Sequence, residues 1–185
     1  MSRLDLSHPV TQDDHVIGNP NAVVQLVEYG DYECPYCAEA FNIVDQLREH
    51  FGNDLLYIFR NYPLSEIHPD ALRAAEAAEA AAKQGKFLEM QKTLFENQGD
   101  LERDSLVQYA ELLGLDTQRF ENEIRAHAHR STIRQDLQSG NASDVDGTPS
   151  FFLNGIAYKG ATDLETMIAD IEEIIAHQTS SKKSA

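Results

Sequence analysis

The sequence predicts an α/β fold in which a strand–helix–strand unit and a strand–strand–helix unit are separated by an all-helical insertion. Apolar, β-branched runs at 22–29 and 55–60 flank a segment, 38–51, whose apolar residues recur every three or four positions. From about 64 to 140 the spacing is entirely helical, and β character returns only at 150–158. These three observations define the fold class.

The chain divides at the points where the pattern changes. Residues 1–20 are polar, contain proline and glycine breakers, and form a lead-in to which we assign no regular element. Segments 21–63 and 141–178 are expected to form one sheet-bearing domain, with 64–140 as its helical insertion. The Ser/Lys-rich residues 179–185 are expected to form a flexible tail.

Breakers and apolar spacing locate the helices of the insertion. An alanine-rich helix opens at Pro69 and ends by Gly85, and a second helix covers about 87–95. Asp104 is placed to cap a third helix, and one or two more are expected before Gly140. No sequence period is visible, so the segment is expected to pack on the sheet and not to form a repeat array.

The C-terminal unit has a hairpin signature followed by an amphipathic helix. Asn154-Gly155 separates two short apolar runs, which is the strongest local signal for a β-hairpin. Residues 162–165 fit a capping box, and an apolar stripe runs from Leu164 to Ile175. The last helix is therefore expected to bury one face.

The composition excludes two classes of partner. Lysine and arginine number 15 against 31 aspartate and glutamate residues, a formal net charge of -16. Such a surface repels nucleic acid phosphates and anionic membranes, so we expect neither as a partner. Residues 1–10 show no basic segment followed by an apolar one, and two cysteines are too few for a disulfide-stabilised secreted scaffold. The sequence predicts a cytoplasmic location, with a removed leader as the alternative.

Both cysteines lie where a strand gives way to a helix. Cys34 and Cys37 are three residues apart, and Pro35 suits the first helical turn because its missing N–H costs nothing there. A thiol at a helix start meets the positive end of the backbone dipole, which favours the reactive thiolate. We expect Cys34, on the exposed side of the turn, to be the nucleophile, with its pKa lowered by about 1.5 units. The more buried Cys37 would resolve the mixed disulfide. A pair of inert buried thiols is the alternative.

The order of these features resembles the thioredoxin superfamily, and the helical insertion resembles its DsbA-type branch. The resemblance covers roughly residues 22–176 and is carried by three features. Residues 34–37 match the Cys-x-x-Cys motif, and Gly147-Thr148-Pro149 matches the loop that faces the dithiol in that family. Glu28 stands where the family places a buried carboxylate beside the second cysteine.

The resemblance implies a thiol–disulfide oxidoreductase with a redox-active Cys34–Cys37 pair and no other cofactor. Pro149 would follow a cis peptide bond, which leaves the backbone of Thr148 to pair with an extended substrate segment. Pro35 and Tyr36 would shape the rim of the thiol. Glu28 would carry a proton for Cys37. The alternatives are an ordinary trans turn proline, and a Glu28 whose carboxylate reaches solvent.

Departures from the DsbA pattern suggest a milder oxidant. Pro-Tyr between the cysteines is the glutaredoxin dipeptide, and Tyr36 brings no positive charge, whereas DsbA has a histidine there. Asp31 and Glu33 flank the site and would oppose ionisation, so we expect a less depressed thiol pKa than in DsbA. No basic residue typical of glutathione binding lies near the motif. A glutaredoxin role is therefore not supported, although glutathione stays a candidate co-substrate.

Two other functions compete with dithiol exchange: a metal-binding module and a peptide-binding module on the same fold. Cys-x-x-Cys is half of a zinc site, and His68 is the candidate third ligand, although a capping or surface role suits it better. His127 and His129 are two residues apart and point to different helix faces, so no metal site is predicted. The expected partners are thiol or disulfide substrates and a redox partner. The redox direction and the oligomeric state do not follow from the sequence.

Overall fold

A single mixed sheet organises the chain in the computed structural model, which describes residues 5–183 and only the backbone from 179 onward. Within residues 5–183 the strands are β1 (His15–Gly18), β2 (Val24–Gly30), β3 (Leu55–Asn61), β4 (Ser150–Leu153) and β5 (Ile156–Ala157). The helices there are α1 (Pro35–Phe51), α2 (Ala71–Ala82), α3 (Phe87–Glu96), α4 (Arg103–Leu112), α5 (Thr117–Arg125), α6 (Arg130–Ala142) and α7 (Leu164–Lys183). The predicted order of elements is confirmed from β2 to α7, and β1 is an additional strand.

The sheet has the strand order β1-β3-β2-β4-β5. β2 and β3 are parallel, as a strand–helix–strand unit joined by α1 requires, and the other pairs are antiparallel. β4 and β5 form the predicted hairpin, with Asn154 and Gly155 both at positive φ (49° and 80°). The predicted α/β class, with an all-helical insertion between the two sheet-bearing segments, is therefore confirmed.

Side chains of the central strands alternate between two cores, as the pleat of a strand requires. Val24 and Leu26 of β2 point to the face covered by α1, α7 and the insertion, whereas Val27 points to the other face. Glu28 is in phase with Val24 and Leu26, so its carboxylate enters the larger core beneath α1. The alternation thus brings one charged side chain under the helix that carries the cysteines.

The insertion packs through its alanine-rich first helix. Residues 74–81 of α2 are all buried, because small side chains let α3 and α5 approach its backbone closely. Phe95 of α3 contacts the rings of Tyr32 and Phe41, with centroids 5.0 and 5.3 Å apart. The insertion therefore reaches the turn that carries the first cysteine.

One strand was not predicted from the sequence, and one predicted helix cap is wrong. The lead-in contains a strand, since His15–Gly18 pairs antiparallel with β3; such a short edge strand gives little apolar pattern to detect. Asp104 lies inside the first turn of α4, whose N-cap residue is Glu102. Residues 1–4 of the lead-in lie outside the described residues.

The last helix is longer than predicted. Its backbone continues as helix to Lys183, into the segment for which a flexible tail is expected, while residues 184 and 185 lie outside the described part. Met167 and Ile171 of its apolar stripe are buried, and Asp163 caps it by accepting the backbone N–H of Thr166 at 2.9 Å. In the described range 5–183, the helices lack the apolar length that a bilayer crossing requires.

Candidate active site

The two cysteines lie at the carboxyl end of β2, where the chain turns into α1. Cys34 is the N-cap residue of α1, with extended backbone angles (φ −74°, ψ 121°), and its carbonyl accepts the first N–H groups of the helix. The last residue of β2 is Gly30, and a larger residue would not fit there. An added Cβ would collide with the ring of Phe59 and lie 3.2 Å from Glu28 Oε1. Both cysteines are reduced thiols.

Cys34 is the more acidic thiol of the pair. A hydrogen bond from the Cys37 thiol lowers the pKa of Cys34 to about 5; burial opposes this, and the Thr148 side chain and the N–H groups of Cys37 and Tyr36 add to the lowering. This exceeds the lowering of about 1.5 units expected from the helix start alone. The expected exposure of Cys34 is also wrong, because its side chain lies against the loop at Thr148 and it is only 4% exposed.

Cys37 holds its proton. It is fully buried one turn into α1, and its Sγ accepts the backbone N–H of Asp31 at 3.4 Å. The hydrogen bond to Cys34, burial and the charge of Glu28 raise the pKa of Cys37 well above its ordinary value. The pair is therefore poised with one thiolate, at Cys34, and one buried thiol, at Cys37.

Glu28 is buried beneath the dithiol and short of hydrogen-bond partners. It is 1% exposed, and its Oε2 accepts the hydroxyl of Tyr57 at 2.6 Å. Within the described residues Oε1 has no hydrogen-bond partner. Burial raises the pKa of Glu28 to about 7, against the bond from Tyr57 and with help from the charge of Cys34. The alternative of a carboxylate in solvent is wrong, and Glu28 changes protonation near neutral pH.

The loop before β4 faces the thiols from the opposite side. The peptide bond between Thr148 and Pro149 is cis, the geometry that the family resemblance implies, and the carbonyl of Thr148 lies 3.3 Å from Cys34 Sγ. Pairing of β4 with β2, in which Ser150 lies opposite Tyr29, fixes this loop beside the turn. Among residues 5–183 the buried hydroxyl of Thr148 has no nitrogen or oxygen partner, so it can donate to the Cys34 sulfur anion, whose pKa it lowers.

A shallow groove runs beside the thiols. Tyr36 is 67% exposed and forms one rim, and the opposite wall is Thr148 and Pro149. The groove has a volume of about 260 Å³. Tyr36 thus lies at the rim, as predicted, while Pro35 occupies the first position of α1.

The contacts of three polar residues at the site were not predicted, because no sequence motif indicates them. Asp31 was identified only as a flanking charge, yet it is 1% exposed and accepts the N–H groups of Glu33 and Leu64, each at 2.8 Å. His68 Nδ1 donates to the same carboxylate at 2.8 Å. Gln98 donates from Nε2 to the carbonyl of Cys34 at 2.8 Å and to that of Tyr32 at 2.9 Å.

Histidines elsewhere pair with carboxylates. His127 contacts Glu76, and His129 contacts Glu123 at 2.8 Å. His68 contacts Asp31, not the cysteines as a third metal ligand would. Within the part of the chain that the structure describes, no three His, Cys, Asp or Glu side chains converge as a metal ion requires.

Sequence comparison agrees with this geometry. Residues 10–173 match the family model described as thioredoxin. The chain belongs to the thioredoxin family. The Cys34–Cys37 pair and the cis bond before Pro149 are therefore features of a member of that family.

Solved structures of DsbA-type members share the fold. BdbD from Bacillus subtilis is 22% identical with a TM-score of 0.84, and the match covers 95% of this chain and 100% of that one. Wolbachia pipientis α-DsbA1 is 23% identical with a TM-score of 0.79, covering 97% and 99% of the two chains. A thioredoxin-like oxidoreductase from Silicibacter pomeroyi is 26% identical with a TM-score of 0.78, covering 92% and 94%.

Curated relatives with higher identity are much longer proteins. A protein named Na(+)/H(+) antiporter NhaA 1 from a Mycobacterium species is 45% identical over 172 residues, which is 91% of this chain and 28% of that protein. The NhaA protein of Herminiimonas arsenicoxydans is 42% identical over 168 residues, 90% of this chain and 27% of that protein. The chain therefore spans about a quarter of the length of these relatives.

Proposed function

We propose that the protein is a dithiol–disulfide oxidoreductase that exchanges the Cys34–Cys37 couple with disulfides of proteins or small molecules. The observation that carries the proposal is the asymmetry of the pair: Cys34 has a pKa of about 5, whereas the pKa of Cys37 is raised. An acidic attacking thiol and a buried resolving thiol are what an exchange through a mixed disulfide requires.

The reaction follows from which sulfur carries the charge. In the reduced protein, the Cys34 thiolate attacks a substrate disulfide, forms a mixed disulfide and releases one substrate sulfur as a thiolate. Cys37 then loses its proton and attacks Cys34 Sγ, which forms the Cys34–Cys37 disulfide and releases the second substrate thiolate. Two electrons pass from the dithiol to the substrate. Run in reverse, the same steps oxidise a substrate dithiol.

Glu28 is the group we propose for the proton of Cys37. Because the pKa of Cys37 is raised, its deprotonation limits the second step unless a base lies nearby. Glu28 changes protonation near pH 7, is buried on the same face, and keeps Oε1 without a partner in the described structure. No cofactor other than the cysteine pair enters this scheme, and glutathione stays a candidate co-substrate.

The groove beside the thiols is our proposed substrate site. An extended segment can pair with the backbone of Thr148 as a short added strand, which would bring its sulfur to Cys34. Pro149 and Tyr36 would then contact the residues on either side of that sulfur. Pro35 fixes the start of α1 and so the position of Cys34.

Cysteine variants test the proposal. Cys34→Ser is expected to abolish insulin reduction and the oxidation of a reduced test peptide. Cys37→Ser is expected to accumulate a mixed disulfide at Cys34, measured as an added mass that dithiothreitol removes. Because no other cysteine is present in the sequence, any adduct reports on this site alone. Turnover that survives in Cys34→Ser would contradict the proposal.

We also propose a Na⁺/H⁺ antiporter as a candidate substrate protein of the dithiol. It is favoured by one observation: proteins of that name contain a segment that is 45% identical to 91% of this chain. A dithiol module next to a transporter acts on it at high effective concentration. Cys37→Ser, expressed in the parent cell, should then trap an antiporter cysteine as a mixed disulfide. A trapped set that lacks any such transporter would remove this candidate.

The cytoplasm stays our proposed compartment, on the grounds of composition given above. One protein of similar fold, from Salmonella enterica, is described as periplasmic. Fusion to a fluorescent protein that matures only in the cytoplasm, and to a phosphatase active only in the periplasm, distinguishes the two. Phosphatase activity would place the chain outside the cytoplasm.

A further inference from the structure

We propose that His68 is a positioning residue that supplies, from outside the Cys-x-x-Cys motif, the positive charge balancing the Cys34 thiolate. The inference rests on the proposed function and adds to it the source of the charge. Tyr36 occupies the position between the cysteines where a cation would otherwise stand, and it carries none. A cation that balances the thiolate therefore has to come from another part of the fold.

His68 is bound to the residue that contacts the dithiol. It lies in the loop between β3 and α2, and its Nδ1 donates to Oδ2 of Asp31 at 2.8 Å. The Asp31 side chain is fully buried, and the backbone N–H of Asp31 donates to Cys37 Sγ at 3.4 Å. One residue thus joins the imidazole to the sulfur pair.

The loop that carries His68 is fixed on both sides. The backbone N–H of His68 donates to the carbonyl of Leu64 at 2.9 Å, and the N–H of Leu64 donates to Asp31 Oδ2 at 2.8 Å. On the other side, the backbone N–H of Asp70 donates to Glu33 Oε2 at 2.7 Å. The loop therefore holds the imidazole against the turn that begins α1, with the His68 side chain only 18% exposed.

The charged groups that shift the pKa of His68 are anions. Burial lowers the pKa of His68, but Asp31, through its hydrogen bond and charge, and then Cys34 and Glu33 raise it above the ordinary value. Asp70 at the start of α2 is already paired with Arg73 at 2.7 Å.

From β2, the carboxyl of Glu28 raises the pKa of Cys37. Without a positive charge on His68, the Cys34 thiolate would therefore be repelled by Asp31, Glu33 and Glu28 with no compensation from this residue.

The charges of Cys34 and His68 stabilise each other, so the direction in which pH changes the redox equilibrium can be predicted. A Cys34 thiolate favours protonated His68, and formation of the disulfide removes that charge and lets His68 lose its proton more readily. As pH rises through the pKa of His68, the stabilisation of the thiolate is lost. The reduced form then becomes less favoured, and the couple becomes less oxidising than thiol ionisation alone predicts.

The test compares three variants by titrating the thiolate absorbance of Cys34 near 240 nm and by equilibration with glutathione buffers. His68→Gln keeps a donor for Asp31 but removes the charge; it should raise the pKa of Cys34 by about one unit. The equilibrium at pH 7 should then shift roughly tenfold toward the disulfide, which is about 30 mV for a two-electron couple.

His68→Lys keeps the charge and should stay near the wild-type values. His129→Gln is the matched control, because it breaks a histidine–carboxylate pair of the same length, 2.8 Å, away from the dithiol.

The outcomes separate the possible roles. Equal pKa values of Cys34 in wild type, His68→Gln and His68→Lys would overturn the inference. An equal rise in both His68 variants would assign a structural role only, and would also overturn it. If His68→Gln does not fold, His68→Asn is measured in its place against the same two standards. A wild-type protein that fails to exchange disulfides, while its thiolate still depends on His68, would reject the proposed function and keep this inference.

Discussion

The thioredoxin-like part of the chain and the helical insertion contribute different things to one site. The first brings the groups of the proposed reaction: Cys34 and Cys37 at the start of α1, Glu28 on β2 and the loop at Pro149. The proposed reaction uses no group of the insertion. Its Gln98 holds two carbonyls of the active-site turn, and the loop that leads into it carries His68.

The difference teaches that reactivity and orientation have separate physical origins here. The acidity of Cys34 arises mostly within a few residues, from the second thiol and the N–H groups of the helix start, and the proposed charge of His68 adds to it. The placement of the turn depends on groups distant along the chain, including Phe95, whose ring packs 5.0 Å from that of Tyr32. Variants in the two regions should therefore fail in different ways.

Glu28→Gln is expected to give the largest effect among variants that keep both cysteines. The resolution of the mixed disulfide should slow by about a hundredfold at pH 7–8, because general acid–base catalysis typically contributes that much or more. The inflection of the rate near pH 7 should also disappear, since Glu28 has a pKa of about 7. Stopped-flow release of a chromogenic thiol measures both quantities.

Glu79→Gln is the matched control from the insertion. Glu79 is equally buried, but its Oε1 accepts two donors, Nε2 of His15 at 2.6 Å and Nδ2 of Asn61 at 2.7 Å. Its neutralisation should leave the resolution rate unchanged. A slow, pH-independent Glu79→Gln, or a normal Glu28→Gln, would end the distinction between the two regions.

The same Glu28 substitution should stabilise the fold in alkaline buffer. The pKa of Glu28 is about 7 in the folded protein against an ordinary value of 4.5, so the folded state holds this proton between those pH values. Stability from this group is complete below pH 4.5 and is lost as pH rises through 7. At pH 8, Glu28→Gln should therefore be more stable than wild type by about 2–3 kcal/mol.

Urea unfolding at pH 5 and pH 8 provides the measurement. The two proteins should nearly coincide at pH 5 and diverge at pH 8. Glu79→Gln should instead be less stable than wild type by about 1–3 kcal/mol at pH 8, because it disturbs a satisfied buried acceptor. Parallel pH dependence in wild type and Glu28→Gln would mean that the carboxyl is not desolvated.

Gln98→Ala tests the contribution of the insertion to orientation. Loss of Nε2 leaves the carbonyls of Tyr32 and Cys34 without these hydrogen bonds, which should cost about 1–2 kcal/mol of stability. Exchange should slow by roughly three- to tenfold as the turn loosens. Gln84→Ala is the control, because Gln84 also bridges two segments but near Asp116. Equal exchange rates in the two variants would deny the insertion a role at the site.

The sequence was sufficient for the reactive half of this comparison. The dithiol is predicted from a short motif and the helices around it from apolar periodicity, because both depend on neighbours in the chain, whereas Glu28 and Pro149 are predicted from the family resemblance. The contacts that His68 and Gln98 make with the active-site turn were not predictable from the sequence. His68 lies 37 residues from Asp31, and Gln98 lies 64 residues from Cys34, so no local spacing indicates either contact.

Burial was also beyond reach of the sequence at two points. Cys34 was expected on the exposed side of its turn, but the cover comes from Thr148, 114 residues away. Asp31 was expected to act as an uncompensated negative charge, and the structure pairs it with His68. Both errors come from pairing of β4 and the insertion with the turn, which only the tertiary fold determines.

Tyr36→Ala is expected to give the smallest effect, and it tests the comparison at its edge. The ring is 67% exposed and contributes no charge, so the pKa of Cys34 should change by less than about 0.3 units. A peptide substrate in the groove loses only a partly exposed contact, worth about 1 kcal/mol or roughly a fivefold rise in KM.

Thiolate titration and peptide kinetics, with exposed Leu112→Ala of α4 as the control, measure the two effects. A large rise in the pKa of Cys34 would show that the rim, and not His68, sets the acidity of the thiol. In that case the contacts of His68 and Gln98 with the active-site turn would lose their electrostatic role and keep only their structural one.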